Sequence, residues 1–280
     1  MKAQFSQKDN AGMALVAGIA GLLCFTALPF MIARAMTAVL EGAAVKIPAS
    51  GNPLIATAPR IVIAFFPVWG GLSIAAGIAL LLVAWALYKG EGWARPAAIG
   101  LLAIPSITGA YYSGPVMFFG KSALPLFILI ALLGLIPYFT LLLWGKGTSG
   151  EKIGKFFVFL MLGVTAAWSF SNGGSSLRMF WARPEYFPLD ASNTGFILGV
   201  PVIWTGVLAT VISIPFFAAG RRAGWRLGVV GLGIILMGNL MLFVTHTGTK
   251  EFMIGMIMAV VSLVLMSIPS IGRKLVEAGD

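Results

Sequence analysis

Apolar residues gather into eight long stretches, and nearly all the charges lie in the short segments between them. The stretches are 11–36, 61–88, 96–113, 124–144, 156–172, 195–219, 227–246 and 252–271. About 20 apolar residues in α-helical form cover the roughly 30 Å hydrocarbon core of a bilayer. The pattern therefore predicts an all-α integral membrane protein with eight transmembrane helices and long loops at 37–60 and 173–194.

The basic residues predict the orientation of these helices. An even number of spans places both termini on the same side of the membrane. With both termini in the cytoplasm, twelve of the 19 Lys and Arg residues fall in inner segments and seven in outer ones. Inner loops carry the excess of positive charge in membrane proteins. We therefore expect both termini to be cytoplasmic and both long loops to be outside, in a cell inner (plasma) membrane.

Loop lengths repeat along the chain. Each long outer loop follows the first span of a set of four, and the next inner turn carries Gly-Trp with a nearby arginine, at 92–95 and 224–226. This rhythm indicates two tandem four-helix halves, 1–148 and 149–280, within one membrane domain. Eight spans joined by short hairpins would also show such a repeat of loop lengths without duplication. The layout resembles small four-helix membrane families of the DoxX type, and no function is carried over from it.

Composition excludes several classes of protein. Hydrophobic residues make up 59% of the chain and charged residues 10%, too few charges to cover a soluble protein of 280 residues. The net charge of +10 is spread over loops, so we expect no nucleic-acid partner, which would require a basic soluble domain. The one cysteine, Cys24, allows no disulfide within the chain.

The predicted outer face is the most site-like region. Spans three, five and seven end there, and the second long loop interleaves arginines with large apolar side chains. If the protein binds a polar ligand or a protein partner, we expect the contact at this face. The candidate residues are Tyr111, Tyr112, Trp168, Asn172, Arg178, Phe180, Trp181, Arg183 and His246. A solvated loop flanked by interfacial aromatic rings is the simpler explanation of the same residues, and we favour it for the region as a whole.

The sequence offers little for catalysis or for metal binding. His246 is the single histidine. It could be a polar residue at the water boundary, a pH-sensitive contact or a hydrogen-bond donor to a quinone headgroup. Methionines cluster in the last two spans and could serve Cu(I), although methionine also fills irregular apolar gaps. We predict no catalytic residue, no metal site and no resident cofactor. Contact with lipid or with a quinone stays open.

These features lead to three functional hypotheses. The leading one is a non-catalytic structural or accessory subunit of a larger prokaryotic membrane complex, in contact with lipids and other membrane subunits. It rests on spans without acidic residues and on many glycines, which let helices approach closely. The alternatives are a carrier or channel for a neutral or lipophilic small molecule, and a quinone- or pigment-contacting subunit of an energy-transducing complex.

Overall fold

The predicted apolar stretches correspond to eight α-helices in a computed structural model. The structure describes residues 5–51, 56–145, 147–182, 191–246 and 249–268, without the side chains of 191–193. The helices are α1 (Gln7–Ser50), α2 (Ala58–Tyr88), α3 (Ala94–Phe119), α4 (Leu124–Leu143), α5 (Ser149–Ala182), α6 (Ala191–Ala218), α7 (Arg222–Thr245) and α8 (Lys250–Ser267). A short 3₁₀ turn, Lys121–Ala123, joins α3 to α4, and the described residues form no strand.

The two long outer loops were predicted wrongly. Helix α1 continues to Ser50 and α5 continues to Ala182, so most of 37–60 and much of 173–194 is helical. The hydropathy pattern ends the first span near Arg34, but residues 38–47 are rich in alanine and other good helix formers. Segment 173–182 stays helical because its buried face, including Ser176 and Met179, packs inside the bundle.

Seven of the helices in the described residues are long and apolar enough to cross a membrane. The exception is α3, which carries many glycine, serine, threonine and tyrosine residues. Helix α3 packs against α1, α2, α4, α5 and α6, so it meets protein on most of its sides and little lipid. The chain is a multi-pass helical membrane protein, and the eighth crossing stays a prediction.

The helices alternate in direction, so the described ends of the chain lie at one end of the bundle. There the Arg95 guanidinium lies 5.0 Å from the ring centroid of Phe5. The Trp225 indole, at the start of α7, donates to the Met266 carbonyl near the end of α8 at 3.1 Å. We call this the proximal end and the opposite one the distal end. The charge count predicts that the proximal end is cytoplasmic.

Arg95 closes the proximal end of α4. The last carbonyl groups of a helix have no partner within that helix. Arg95 donates to the carbonyl oxygens of Leu141, Leu142 and Trp144 at 3.0, 3.2 and 2.9 Å. A positive charge is also favourable at a helix C-terminus. At the distal end Lys46 of α1 does the same for α3 by donating to the Phe118 carbonyl.

Glycines allow two helix pairs to approach closely. A Cβ built on Gly21 of α1 would lie 2.8 Å from the Gly77 carbonyl oxygen of α2, and one on Gly231 of α7 would lie 2.8 Å from the Thr210 backbone nitrogen of α6. No side chain fits at these distances. Such contacts bring backbones together, which is a common basis of helix association in lipid.

Helices α1–α4 and α5–α8 each form a set in which consecutive helices pack together. The first and last helices of each set also touch, α1 with α4 and α5 with α8. The two sets meet mainly where α3 packs on α5 and α6. Tandem duplication into 1–148 and 149–280 stays a prediction about the origin of this chain.

Candidate functional site

The residues proposed for the outer face lie in the distal part of the bundle, on three elements. Tyr111 and Tyr112 belong to α3; Trp168, Asn172, Arg178, Phe180 and Trp181 belong to α5; His246 directly follows α7. Arg183 lies outside the described residues. The structure distributes them over three separate groups of contacts.

The two tyrosines belong to an aromatic layer between the two sets of helices. The layer consists of Phe65, Phe66 and Trp69 of α2, Tyr111 and Tyr112 of α3, Phe170 of α5 and Trp204 of α6. Tyr112 stacks on Phe66 with ring centroids 4.0 Å apart, and its hydroxyl donates to the Phe66 carbonyl at 2.7 Å. Phe170 lies edge-to-face against both Trp69 and Tyr111, each at 5.1 Å.

Three polar groups at this layer are buried without a partner among the described residues. They are the Trp69 indole N–H, the Tyr111 hydroxyl and the hydroxyl of Ser169, which precedes Phe170. A buried donor without a hydrogen bond costs free energy. These groups can bind an acceptor oxygen, and none of them is an acid or base near neutral pH.

Trp168 and Asn172 meet at the start of α8. The Trp168 indole and the Asn172 amide both donate to the Glu251 carbonyl, each at 3.1 Å. The Asn172 amide also donates to the Asn239 side-chain oxygen of α7 at 2.6 Å. Gly255 lies against both asparagines, since a Cβ built there would be 2.8 Å from the Asn172 amide nitrogen. This group ties α5, α7 and α8 together.

The last turns of α5 are anchored within the chain. The Thr57 hydroxyl donates to the Arg178 carbonyl at 3.3 Å. Phe180 is only 9% exposed, and its ring lies 4.9 Å from that of Phe196 in α6. Trp181 is half-buried. Phe180 therefore contributes to the core, which leaves Trp181 as the ring at this end that can reach a partner.

His246 caps the end of α7 and is half-buried. Its ring centroid lies 6.0 Å from that of Phe196. The described residues contain no group of three His, Cys, Asp or Glu side chains that could hold a metal ion. Cys24 is buried in α1, in a different part of the bundle.

Sequence reasoning missed most of the aromatic layer and its neighbours. Trp69, Phe170 and Trp204 lie inside apolar spans, where a ring looks like any other apolar residue. Their spacing from other aromatic residues, such as Phe65 four positions before Trp69, is the signal that places two rings on one helix face. Which faces meet depends on helix packing, and a single sequence does not give it.

A notch opens at the distal side between α1 and the start of α4. Its volume is about 670 Å³, and it is lined by Arg34, Thr37 and Glu41 of α1 and by Leu126 and Leu129 of α4, among others. The three α1 residues are exposed and lie on one face of the helix. The notch thus combines two opposite charges with an apolar wall.

The arrangement as a whole suits binding and packing. In the described residues the buried polar side chains, apart from tyrosine and tryptophan, are Asn, Ser and Thr. Together the helices define a multi-pass α-helical membrane protein. Comparison with protein-family models, curated proteins and solved structures finds no match to this chain.

Proposed function

We propose that this chain is a non-catalytic subunit of a larger prokaryotic membrane complex, located in the plasma (inner) membrane, and that a neighbouring membrane subunit docks in the distal notch. The notch carries the proposal. Arg34 and Glu41 present opposite charges beside Leu126 and Leu129, and such a mixed surface fits a protein segment with complementary charges and an apolar side.

The distal end of α1 supports the same proposal. Gly42 contacts the end of α3 at Phe119, and residues 43–50 continue for about 12 Å beyond it, at roughly 1.5 Å per residue. Val45 on this extension is 75% exposed. Val45 follows Glu41 by four residues, so it lies on the helix face that lines the notch. A partner that fills the notch would also cover this extension.

Two threonines of α1 provide a matched test. Thr37 lines the notch and Thr26 faces outward from the apolar part of the helix; both are exposed, and each hydroxyl donates to the carbonyl four residues earlier. Thr37→Trp should place an indole in the notch and weaken binding of the partner, whereas Thr26→Trp should not. The measurement is the ratio of co-purifying subunits to this chain in mild detergent.

A photo-crosslinking amino acid at the same two positions identifies what fills the notch. We expect one discrete protein product from position 37 and only lipid adducts from position 26. Equal retention of subunits by both tryptophan variants would contradict the proposal. So would a wild-type chain that runs alone under conditions that preserve membrane complexes.

A further inference from the structure

An apolar crevice lies in the proximal half of the bundle, where α3, α4, α5 and α6 meet. Its volume is about 70 Å³, and its lining includes Ser106, Tyr138, Phe139, Phe159, Gly163 and Ile214. It lies between the two sets of helices, in a different region from the distal notch. A ligand in this crevice would therefore bind independently of the proposed partner.

Tyr138 borders this crevice with an unused hydrogen-bond donor. Its side chain is 3% exposed, and its hydroxyl has no partner among the described residues. A buried hydroxyl without a hydrogen bond is costly. Tyr138 is the lining residue with this unused donor, so a guest in the crevice lies beside its side chain.

Water is a poor partner for this hydroxyl. A buried water needs two to four polar partners. Apart from Tyr138, the lining offers one polar side chain, Ser106, whose hydroxyl donates to the Leu102 carbonyl at 2.8 Å and can still accept one hydrogen bond. A water in the crevice would therefore find two side-chain partners, the lower limit for a buried water. The other lining side chains are apolar. An apolar guest with one acceptor oxygen satisfies this lining better than water does.

The depth of Tyr138 in the membrane restricts which molecules can supply that acceptor oxygen. Tyr138 lies five residues before the end of α4 at Leu143, which is about 7.5 Å along the helix. Side chains lean toward the helix N-terminus, so its hydroxyl lies deeper still. The ester carbonyls of phospholipids belong to the interfacial region outside the hydrocarbon. A carbonyl carried on an apolar ring, as in a quinone, reaches this depth within the hydrocarbon.

We propose that this crevice binds a membrane quinone, with the Tyr138 hydroxyl donating to one ring carbonyl. A cavity of 150 Å³ encloses benzene, so a crevice of about 70 Å³ takes one edge of a ring and leaves the rest in lipid. Gly163 makes room for that edge, because a Cβ built on it meets nothing within 4 Å. The proposal is one of binding and includes no redox step.

The test uses the full-length protein in lipid nanodiscs. The probe is a labelled benzoquinone with a decyl tail, and decylbenzene is its counterpart without carbonyls. The variants are Tyr138→Phe, which removes only the hydroxyl, and Gly163→Leu, which fills the crevice. Gly233→Leu on α7 is the matched control, because a Cβ there also meets nothing within 4 Å and Gly233 does not line the crevice.

We expect Tyr138→Phe to bind the quinone about tenfold more weakly, as expected for one lost hydrogen bond. Without quinone, Tyr138→Phe should be at least as stable to heat as the wild type, since it removes an unsatisfied group. A purely structural tyrosine would show the opposite change in stability. Gly163→Leu should not bind, and Gly233→Leu should bind like the wild type.

Three results would overturn the proposal. The first is equal quinone affinity in the wild type, Tyr138→Phe and Gly163→Leu. The second is decylbenzene binding as tightly as the quinone, which would mean that no carbonyl is recognised. The third is a several-fold gain in quinone affinity when ester-linked phospholipids are replaced by ether-linked ones, which would identify a lipid ester as the natural occupant.

Discussion

The side-chain amide of Asn172 donates to the side-chain oxygen of Asn239 at 2.6 Å, and both residues are buried. The bond joins α5 to α7 in a region that water does not reach. Interhelical amide bonds of this kind hold membrane helices together because few other partners exist in hydrocarbon. In addition, Asn172 donates to the Glu251 carbonyl of α8, so one side chain links three helices.

Replacing these asparagines should therefore reveal coupling between α5 and α7. We expect a coupling energy of about 0.6–1.7 kcal/mol in a double-mutant cycle of Asn172→Ala and Asn239→Ala. Asn172→Ala should be the more harmful single change, because it loses two interhelical bonds. Unfolding in mixed detergent micelles measures both quantities. Additive effects would show that the two residues act independently.

Gly255 should tolerate no side chain, whereas Gly233 should. A Cβ on Gly255 would press against Asn172 and Asn239, and a Cβ on Gly233 meets nothing within 4 Å. We expect Gly255→Ala to lower the free energy of unfolding by about 1–3 kcal/mol, typical of overpacking. Gly233→Ala should be neutral or stabilising, because alanine favours a helix over glycine. Equal stabilities of the two variants would contradict this account of the α8 contact.

These two glycines illustrate how much the sequence reveals. Both lie in apolar stretches of similar composition, so the pattern located α7 and α8 but could not separate a packed glycine from a free one. That difference depends on Asn172, which is 83 positions before Gly255. Similarly, hydropathy located the end of α2 at Tyr88 but not that of α1, because the helix continues to Ser50 whereas the apolar span ends at residue 36.

The predicted candidate residues divide in the same way. The outer-face proposal named Asn172 and Tyr111 because polar groups and rings at a span end are visible in one sequence. Their partners Asn239 and Trp69 lie in other helices, and their pairing follows from helix rotation. An unfilled space such as the one beside Gly163 has no sequence signal at all. A single sequence thus predicts helices and candidate residues, but it does not predict which of those residues are in contact.

Arg95 should be a major determinant of stability at the proximal end. Arg95→Met removes donors from three carbonyl groups at the end of α4. We expect the free energy of unfolding to fall by about 1–3 kcal/mol. Amide hydrogen exchange around Leu142 should become faster. Arg226→Met is the control, because Arg226 is an exposed arginine near the start of α7. Similar losses in both variants would indicate a general effect of charge removal.

Two exposed serines at helix ends test the orientation. Ser50 ends α1 at the distal end and Ser149 begins α5 at the proximal end. In intact cells, Ser50→Cys should react with a membrane-impermeant thiol reagent and Ser149→Cys should not. The native Cys24 is buried and should contribute little background. Labelling in the reverse pattern would place both termini outside.

The aromatic layer gives the protein an optical signature of its assembled state. Its rings come from α2 and α3 on one side and from α5 and α6 on the other, and Phe170 of α5 lies 5.1 Å from both Trp69 and Tyr111 across that boundary. Rings held rigidly in asymmetric surroundings produce circular dichroism in the near ultraviolet, whereas helices absorb in the far ultraviolet. Separation of the two sets of helices within a membrane would weaken the first signal, because the ring contacts across the boundary are lost, and would preserve the second. Near-ultraviolet circular dichroism can therefore follow the packing of the two sets of helices without an attached dye.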